Sequence, residues 1–139
     1  MAFKILGVNH IAIAPKEVQL TLDFLKNILG LPFSGEELVK EQKVNTLMYE
    51  TPASPTRIEI LDPKGFADGP VAKFLEKKGA GIHHIALSID DVDAALKILK
   101  SKNVKLIDET PRKGAHNTKI IFIHPHATGG VLIELVQQL

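Results

Sequence analysis

The sequence predicts an α+β fold made of two similar modules, each a strand followed by a helix and then by further strands. The main observation is an internal repeat, in which VNHIAI at residues 8–13 returns 74 positions later as IHHIAL at residues 82–87. IEIL at residues 58–61 returns 75 positions later as IELV at residues 133–136. A second observation is that apolar residues with helical spacing follow directly after both VNHIAI and IHHIAL. Half of the chain therefore corresponds to one module.

The first strand of each module separates a bulky face from a face of small residues. Alternation over residues 8–14 puts His10 and two alanines on one face and two isoleucines on the other. Residues 82–89 repeat this arrangement, with His84 on the face of Ala and Ser. We expect helices to cover the aliphatic faces and the small residues to leave space above the sheet.

Helices are predicted after each first strand. The apolar positions with helical spacing are Val18, Leu22, Leu25 and Leu29 in the first module and Val92, Leu96 and Leu99 in the second. The first helix ends at Gly30, and the acidic pair Asp90-Asp91 precedes the second. A third helix is predicted over residues 70–78, which begin with Pro and are followed by Gly79.

Further strand-like runs complete each module. They lie at about 39–49 and 56–61 in the first and at 104–107, 119–124 and 131–136 in the second. Clusters of Pro and Gly between them indicate turns rather than a linker. We therefore predict one domain over residues 1–139, with module 1 at about 5–63 and module 2 at about 80–139.

The composition excludes several classes of protein. A chain of 139 residues without Cys has no disulfide framework, no thiolate metal site and no cysteine nucleophile. The formal net charge of +1 predicts no nucleic-acid partner. No segment approaches the roughly 20 apolar residues that a membrane span needs, and the start does not resemble a signal peptide. We expect a cytoplasmic protein without a membrane partner.

Four potential metal ligands occupy matched positions of the repeat. They are His10 and His84 on the small-residue faces, and Glu59 and Glu134 in mid-strand between aliphatic residues. A lone strand histidine is more often a hydrogen-bonded residue than a ligand, but a mid-strand carboxylate is costly to bury without a cation. If the modules pack about a pseudo-twofold axis, the four converge on one site of two nitrogens and two oxygens. Such a site suits zinc, cobalt, nickel or manganese.

The other histidines give weaker indications. His83 faces the aliphatic side of its strand, which favours a structural role. His116, His124 and His126 lie in or beside loops, where a surface role and a ligand-binding role are equally compatible with the pattern.

Several motifs in the second half of the chain stand out: GIHHIALSIDD at residues 81–91, GAH at 114–116, FIHP at 122–125 and GVLIEL at 130–135. The first half contains VNHIA, TRIEIL and VAKFL. Together these motifs resemble methylmalonyl-CoA epimerases of the glyoxalase and vicinal-oxygen-chelate (VOC) superfamily, and the likeness covers nearly the whole chain. The metal-site strands alone would indicate only the superfamily, whereas the combination of motifs indicates the epimerases.

The resemblance implies paired βαβββ modules of the glyoxalase/bleomycin resistance/dioxygenase fold that form a metal-binding cleft, commonly in a homodimer. It assigns the same four metal ligands: His10, Glu59, His84 and Glu134. The implied substrate is methylmalonyl-CoA, an acyl-CoA whose carbon 2 exchanges a proton so that its two epimers interconvert. A divalent metal would stabilise the enolate as a Lewis acid.

The resemblance also indicates which residues move the proton. Glu134 is expected to act as one acid or base. Some family members place a second glutamate where this chain has Asn45 or Thr46, neither of which is a general base at ordinary pH. Glu41, Glu50, His116 and a metal-bound water remain as alternatives for this role. The expected substrate contacts are Thr46, Lys113, His116 and His124. A further departure is His126, at a position where a lysine commonly follows the His-Pro pair.

Three other functions are compatible with parts of the pattern. A glyoxalase I uses a similar four-ligand site on a glutathione hemithioacetal. An extradiol dioxygenase holds iron with two histidines and a single carboxylate, so the matched Glu59 argues against it. A metal-free binding module of the antibiotic-resistance kind would not need the four ligands.

Overall fold

The structure is a computed structural model that describes residues 2–139. The chain forms two compact units, of which the first comprises His10–His83 and the second comprises residues 2–9 together with His84–Leu139. Strand β1 (Ile5–Ala14) contributes residues to both units. Within the described residues, no helix has the length and apolar character needed to cross a membrane.

The first unit is a four-stranded sheet with a helix on one face. Besides β1, its elements are α1 (Val18–Asp23), β2 (Phe33–Val39), β3 (Val44–Thr51), β4 (Ser54–Asp62) and α2 (Pro70–Lys78). The strands lie in the order β2-β3-β4-β1, with β1 and β4 parallel and the other pairs antiparallel. Leu25 from the π-helical turn that follows α1 packs on Leu47, Tyr49 and Ile60 of the sheet. This core confirms that a helix covers the aliphatic face of the first module.

The second unit repeats this arrangement. Its elements are β5 (Gly81–Ile89), α3 (Val92–Ser101), β6 (Arg112–Gly114), β7 (Thr118–Ile123) and β8 (Ile133–Gln138). The strands lie in the order β5-β8-β7-β6, with β5 and β8 parallel and the other two pairs antiparallel. The Asp91 carboxylate caps α3 by accepting a hydrogen bond from the Ala94 N–H at 3.0 Å. Val92 and Ala95 of α3 are fully buried against the sheet.

Strand register confirms the internal repeat at the level of backbone pairing. Ala12 of β1 is in register with Glu59 of β4, and Ala86 of β5 is in register with Glu134 of β8. On its other side, Glu59 lies opposite Met48 and Glu134 lies opposite Phe122. Each glutamate therefore occupies the same position in its own four-stranded sheet.

Two predicted strands are wrong in detail. The run predicted at 39–49 covers most of β3 but only the last residue of β2, because a 3-10 turn at Lys40–Gln42 and a left-handed Lys43 (φ 53°) reverse the chain between the two strands. Residues 33–38 of β2 lie outside every predicted strand. The segment predicted as a strand at 104–107 forms only an isolated bridge between Leu106 and Ile123. The edge of the second sheet is instead the three-residue strand β6, which is too short and too polar to show an alternating pattern.

The predicted helices differ in how regular they are. The helix expected over residues 70–78 has those bounds. The one expected from Val18 to Leu29 is an α-helix only as far as Asp23 and continues as a π-helical turn, Phe24–Ile28. The π-helical turn is followed by a hydrogen bond from the Leu31 N–H to the Leu25 carbonyl at 2.9 Å.

Candidate functional site

The second unit brings His84 and Glu134 together on its buried face. His84 Nε2 lies 2.9 Å from Glu134 Oε1, and both residues are 5% exposed. The histidine comes from β5 and the glutamate from the adjacent parallel strand β8. Phe122 of β7 packs its ring edge-to-face with the imidazole, with 5.4 Å between the ring centroids. An aromatic ring therefore packs against a buried pair of groups that both bind cations.

The first unit holds the equivalent pair. His10 Nε2 lies 3.4 Å from Glu59 Oε1, and both residues are buried. Here too the histidine is on the first strand and the glutamate is on the adjacent parallel strand. The predicted ligands therefore occur as one imidazole and one carboxylate in each unit.

The donor set of each pair fits a divalent first-row metal. Imidazole nitrogen and carboxylate oxygen are ordinary ligands for zinc, cobalt, manganese and nickel. A buried carboxylate needs a cation, a proton or strong hydrogen bonds to offset its lost hydration. The small side chains of Ala12 and Ala86, both fully buried, lie beside the glutamates. Each pair is thus built in the same way, with a methyl group next to the carboxylate.

The predicted substrate contacts of the second unit lie on its outer strands and turns. Lys113 is an exposed residue of β6. His116 has a left-handed backbone (φ 57°) in the turn between β6 and β7, and its carbonyl accepts a hydrogen bond from Gln138 Nε2 at 2.9 Å. His124 precedes the 3-10 turn Pro125–Thr128 and accepts a hydrogen bond on Nδ1 from the His126 N–H at 3.0 Å. Their contact with a substrate stays a prediction.

The electrostatic surroundings of His124 favour its neutral form. Partial desolvation lowers the pKa of the His124 imidazole below its usual 6.5, and the charges of Lys105 and His126 lower it further. The Nδ1 acceptor in the hydrogen bond from the His126 N–H also requires that nitrogen to be unprotonated. His124 is therefore a neutral hydrogen-bonding group near neutral pH.

The strand residues at the position of the family's second glutamate are buried. Thr46 Oγ1 donates a hydrogen bond to the Glu37 carbonyl at 3.1 Å, and Asn45 Nδ2 donates to Glu36 Oε2 at 2.7 Å. Thr46 lies two residues before Met48, which faces Glu59 across the ladder. Because side chains alternate along a strand, Thr46 lies on the same face as Glu59. It offers a hydroxyl group at a position where some family members have a carboxylate.

The acidic alternatives differ in burial. Glu41 is exposed on the 3-10 turn between β2 and β3. Glu50 is half-buried on β3, two residues after Met48, and therefore lies on the same face as Glu59. Its Oε2 atom is buried and has no hydrogen-bond partner within residues 2–139.

Sequence reasoning missed a buried ion pair in the second unit. Asp108, which is 8% exposed, accepts a hydrogen bond from the Phe122 N–H at 2.8 Å and pairs with Arg112 Nε at 2.7 Å. The Arg112 guanidinium also lies over the Phe122 ring, 5.5 Å from its centroid. Asp108 lies in an irregular segment and Arg112 begins the three-residue strand β6, and neither stretch has a hydrophobic period. The only signal is an Asp followed four positions later by an Arg, and that alone is weak.

Comparison with known proteins identifies relatives over nearly the whole chain. The family model of the Glyoxalase/Bleomycin resistance protein/Dioxygenase superfamily matches residues 9–122. The mitochondrial methylmalonyl-CoA epimerase of Dictyostelium discoideum is 39% identical over 132 residues, which are 94% of this chain and 78% of that protein.

Solved structures are similar as well. The crystal structure of methylmalonyl-CoA epimerase from Mycobacterium tuberculosis has a TM-score of 0.92 and 35% identity, over 97% of this chain and 89% of that one. A Streptomyces coelicolor methylmalonyl-CoA epimerase variant in complex with 2-nitronate-propionyl-CoA has a TM-score of 0.88 and 32% identity, over 97% of this chain and 99% of that one. These findings confirm the α+β fold class, with paired βαβββ modules, and the family resemblance.

Proposed function

Because the chain belongs to the methylmalonyl-CoA epimerase family of the Glyoxalase/Bleomycin resistance protein/Dioxygenase superfamily, we propose that it interconverts the two C2 epimers of methylmalonyl-CoA. The observation that carries the proposal is the buried His–Glu pair that recurs in each unit, His10 with Glu59 and His84 with Glu134. The named relatives are epimerases of this substrate, and one similar structure holds a nitronate analogue of the acyl-CoA.

We propose that these four residues together hold one divalent cation, which is cobalt, zinc, manganese or nickel. The support is chemical: each unit supplies one imidazole and one carboxylate, buried and in matched register. A soft thiolate set is absent because the chain has no Cys. When bound, such an ion supplies Lewis acidity that lowers the energy of an enolate oxygen.

Glu134 is proposed as the group that takes the proton from carbon 2. In this step the C2–H bond breaks, its electron pair enters the enolate of the thioester, and the proton moves to a carboxylate oxygen. Glu134 Oε1 lies 2.9 Å from His84 Nε2, close enough for the two atoms to be neighbouring ligands of one cation, which would hold the carboxylate in position. The low exposure of both side chains keeps bulk water away from the enolate.

Glu50 is proposed as the acid that returns a proton on the opposite face. It lies on the same sheet face as Glu59, and its buried Oε2 has no hydrogen-bond partner in the described chain. Glu41 is the weaker alternative because it is exposed on a turn. Glu134 accepts one proton from carbon 2 and Glu50 donates one to it, so a full epimerisation leaves the protein with its original number of protons.

Deuterium exchange at carbon 2 of methylmalonyl-CoA in D₂O, followed by NMR, tests the function. The wild-type protein loaded with cobalt, zinc or manganese is expected to exchange this proton. The exchange rate of Glu134→Gln is expected to be at least about 100-fold lower. Glu109→Gln removes a carboxylate from the exposed surface of the same unit and serves as the matched control. Absence of exchange in every metal-loaded form would overturn the proposal.

A glyoxalase I activity is the second candidate, because it uses the same donor set. An assay with methylglyoxal and glutathione separates the two functions. Turnover in that assay without exchange at carbon 2 of methylmalonyl-CoA would favour the glyoxalase I function.

The assembly and location of the protein are part of the proposal. We propose a cytoplasmic homodimer in which residues 1–139 act as a single domain with an acyl-CoA substrate and without a nucleic-acid or membrane partner. Light scattering behind size exclusion is expected to give about twice the chain mass of 15.2 kDa. A mass of one chain would contradict the dimer.

A further inference from the structure

Phe122 of β7 is fixed through both of its backbone groups by the segment that precedes β6. The Phe122 N–H donates to Asp108 Oδ2 at 2.8 Å, and the Phe122 carbonyl accepts from the Ile107 N–H at 3.0 Å. The N–H and the carbonyl of one strand residue point to the same side of the strand, so both point away from β8. Phe122 and Glu134, which are in register, are therefore a pair without mutual backbone hydrogen bonds, the kind in which the side chains lie closer together.

The Phe122 ring contacts a cation and a histidine. The guanidinium carbon of Arg112 lies 5.5 Å from the ring centre, and Arg112 Nε forms an ion pair with Asp108 Oδ1 at 2.7 Å. The His84 imidazole meets the ring edge-to-face, with 5.4 Å between the centroids and 88° between the planes. Both rings are buried. In a close-packed interior, a fixed aromatic ring restricts the rotation of the imidazole that lies against it.

The matched position of the first unit has no aromatic ring. Met48 lies opposite Glu59 as Phe122 lies opposite Glu134. A methionine side chain is flexible and has no plane with which to orient an imidazole. The distance between the histidine nitrogen and the glutamate oxygen is 2.9 Å in the unit with Phe122 and 3.4 Å in the unit with Met48. The closer pair is thus the one that packs against the ring.

We propose that Phe122 is a positioning residue that holds the His84 imidazole in the orientation in which Nε2 binds the divalent cation, and that Asp108 acts through Phe122. This inference rests on the proposed function, because His84 is one of the proposed metal ligands. Groups that orient a metal-binding histidine from behind typically contribute about 10- to 100-fold to metal affinity. Here an aromatic ring fixed by a buried carboxylate provides part of that support.

Cobalt binding to the full chain, freed of metal by dialysis against a chelator, tests the proposal. The visible absorption of bound Co²⁺ depends on the geometry of its ligands, so it reports the orientation of the imidazole independently of turnover. Phe122→Leu removes the ring and keeps an apolar side chain. It is expected to weaken Co²⁺ binding about 10-fold in chelator competition and to shift the absorption bands. A dissociation constant and a spectrum equal to those of the wild type would overturn the proposal.

Phe74→Leu is the matched control for loss of a ring. Phe74 of α2 packs edge-to-face on His83, with 4.9 Å between the centroids, and His83 is not among the proposed ligands. This variant is expected to leave both the affinity for Co²⁺ and the spectrum unchanged. If it weakened Co²⁺ binding as much as Phe122→Leu does, the loss would not depend on His84 and the proposal would be overturned.

Two variants of Asp108 test its role while the ring is kept. Asp108→Asn retains an oxygen that can accept the Phe122 N–H, whereas Asp108→Ala leaves that N–H without the side-chain acceptor. The alanine variant is expected to weaken Co²⁺ binding about 10-fold and to shift the bands, and the asparagine variant is expected to recover most of the affinity. A lower midpoint of urea unfolding with unchanged cobalt affinity and spectrum would show that Asp108 only stabilises the fold and would overturn the proposal. The same pair of variants decides the outcome if circular dichroism shows that Phe122→Leu does not fold.

The proposed function has its own readout. A wild-type protein that exchanges the C2 proton and binds Co²⁺ with an affinity independent of Phe122 and Asp108 would contradict this inference alone. A wild-type protein that binds no divalent cation would contradict both this inference and the proposed metal site.

Discussion

Ala86 lies in register with Glu134 on the neighbouring parallel strand, and the alanine is completely buried. The same relationship joins Ala12 to Glu59 in the first unit. A methyl group beside each carboxylate leaves room for the imidazole two positions earlier on the strand, at 2.9 Å in one unit and 3.4 Å in the other. Backbone pairing alone therefore brings together the His and the Glu of each pair.

Glu59→Ala is expected to weaken metal binding by at least about 10-fold, because it removes an oxygen donor, whereas Glu59→Gln keeps a carbonyl oxygen and is expected to lose less. The measurement is metal content after dialysis against a graded chelator, with circular dichroism to verify the fold. Equal metal retention by Glu59→Ala and the wild type would remove Glu59 from the ligand set. Glu76→Gln on α2, in the same unit, is the control for loss of a carboxylate.

Glu50→Gln is expected to separate exchange from epimerisation. If Glu134 removes the proton on one face and Glu50 returns it on the other, the variant retains C2 exchange on one epimer but forms the second epimer at least about 100-fold more slowly. Chiral analysis of the product alongside NMR exchange measures both. Interconversion of the epimers by Glu50→Gln at the wild-type rate would exclude Glu50 as the acid. If only Glu41→Gln lost epimerisation, Glu41 would be the acid instead.

Gly114→Ala is expected to destabilise the protein by about 1–3 kcal/mol. A Cβ at this position of β6 would lie 2.5 Å from Thr118 Oγ1 and 2.8 Å from Ile120 Cγ2 on the adjoining strand, so these side chains or the strand itself must shift. Gly81→Ala is the matched control, because a Cβ there meets no atom within 4 Å. Urea unfolding measures the difference, and equal midpoints for the two variants would contradict the predicted clash.

His124 is expected to titrate below the usual histidine pKa of 6.5, with Lys105→Gln raising its pKa towards that value. A pKa that differs between the folded and the unfolded chain makes the free energy of unfolding depend on pH. The unfolded chain binds this proton more readily than the folded chain, so the contribution of His124 to stability is present above the unfolded pKa and is lost as the pH falls through the folded value. NMR titration of the imidazole protons measures the pKa, and a His124 pKa above 6.5 would contradict the prediction.

Much of this fold was predictable because the repeat carries strong local signals. The alternation around His10 and His84 predicted the two faces of each first strand, and Pro70 with Gly79 bounded the third helix. Strand β6 was not predictable, because three residues at a sheet edge are held by pairing with β7 rather than by their own pattern. The split of the 39–49 run depended on a left-handed Lys43, a conformation that the residue type does not indicate.

By itself, the sequence determined the two modules, the faces of their strands and the identity of the buried His and Glu pairs. These follow from periodicity and from residue types that are costly to bury without partners. Only the tertiary structure decided that Asp108 joins Arg112 to Phe122 and that Glu50 has a buried oxygen without a hydrogen-bond partner. Such contacts link irregular or edge segments to strands far away in the chain, so they depend on sheet register and packing rather than on any local pattern of residues.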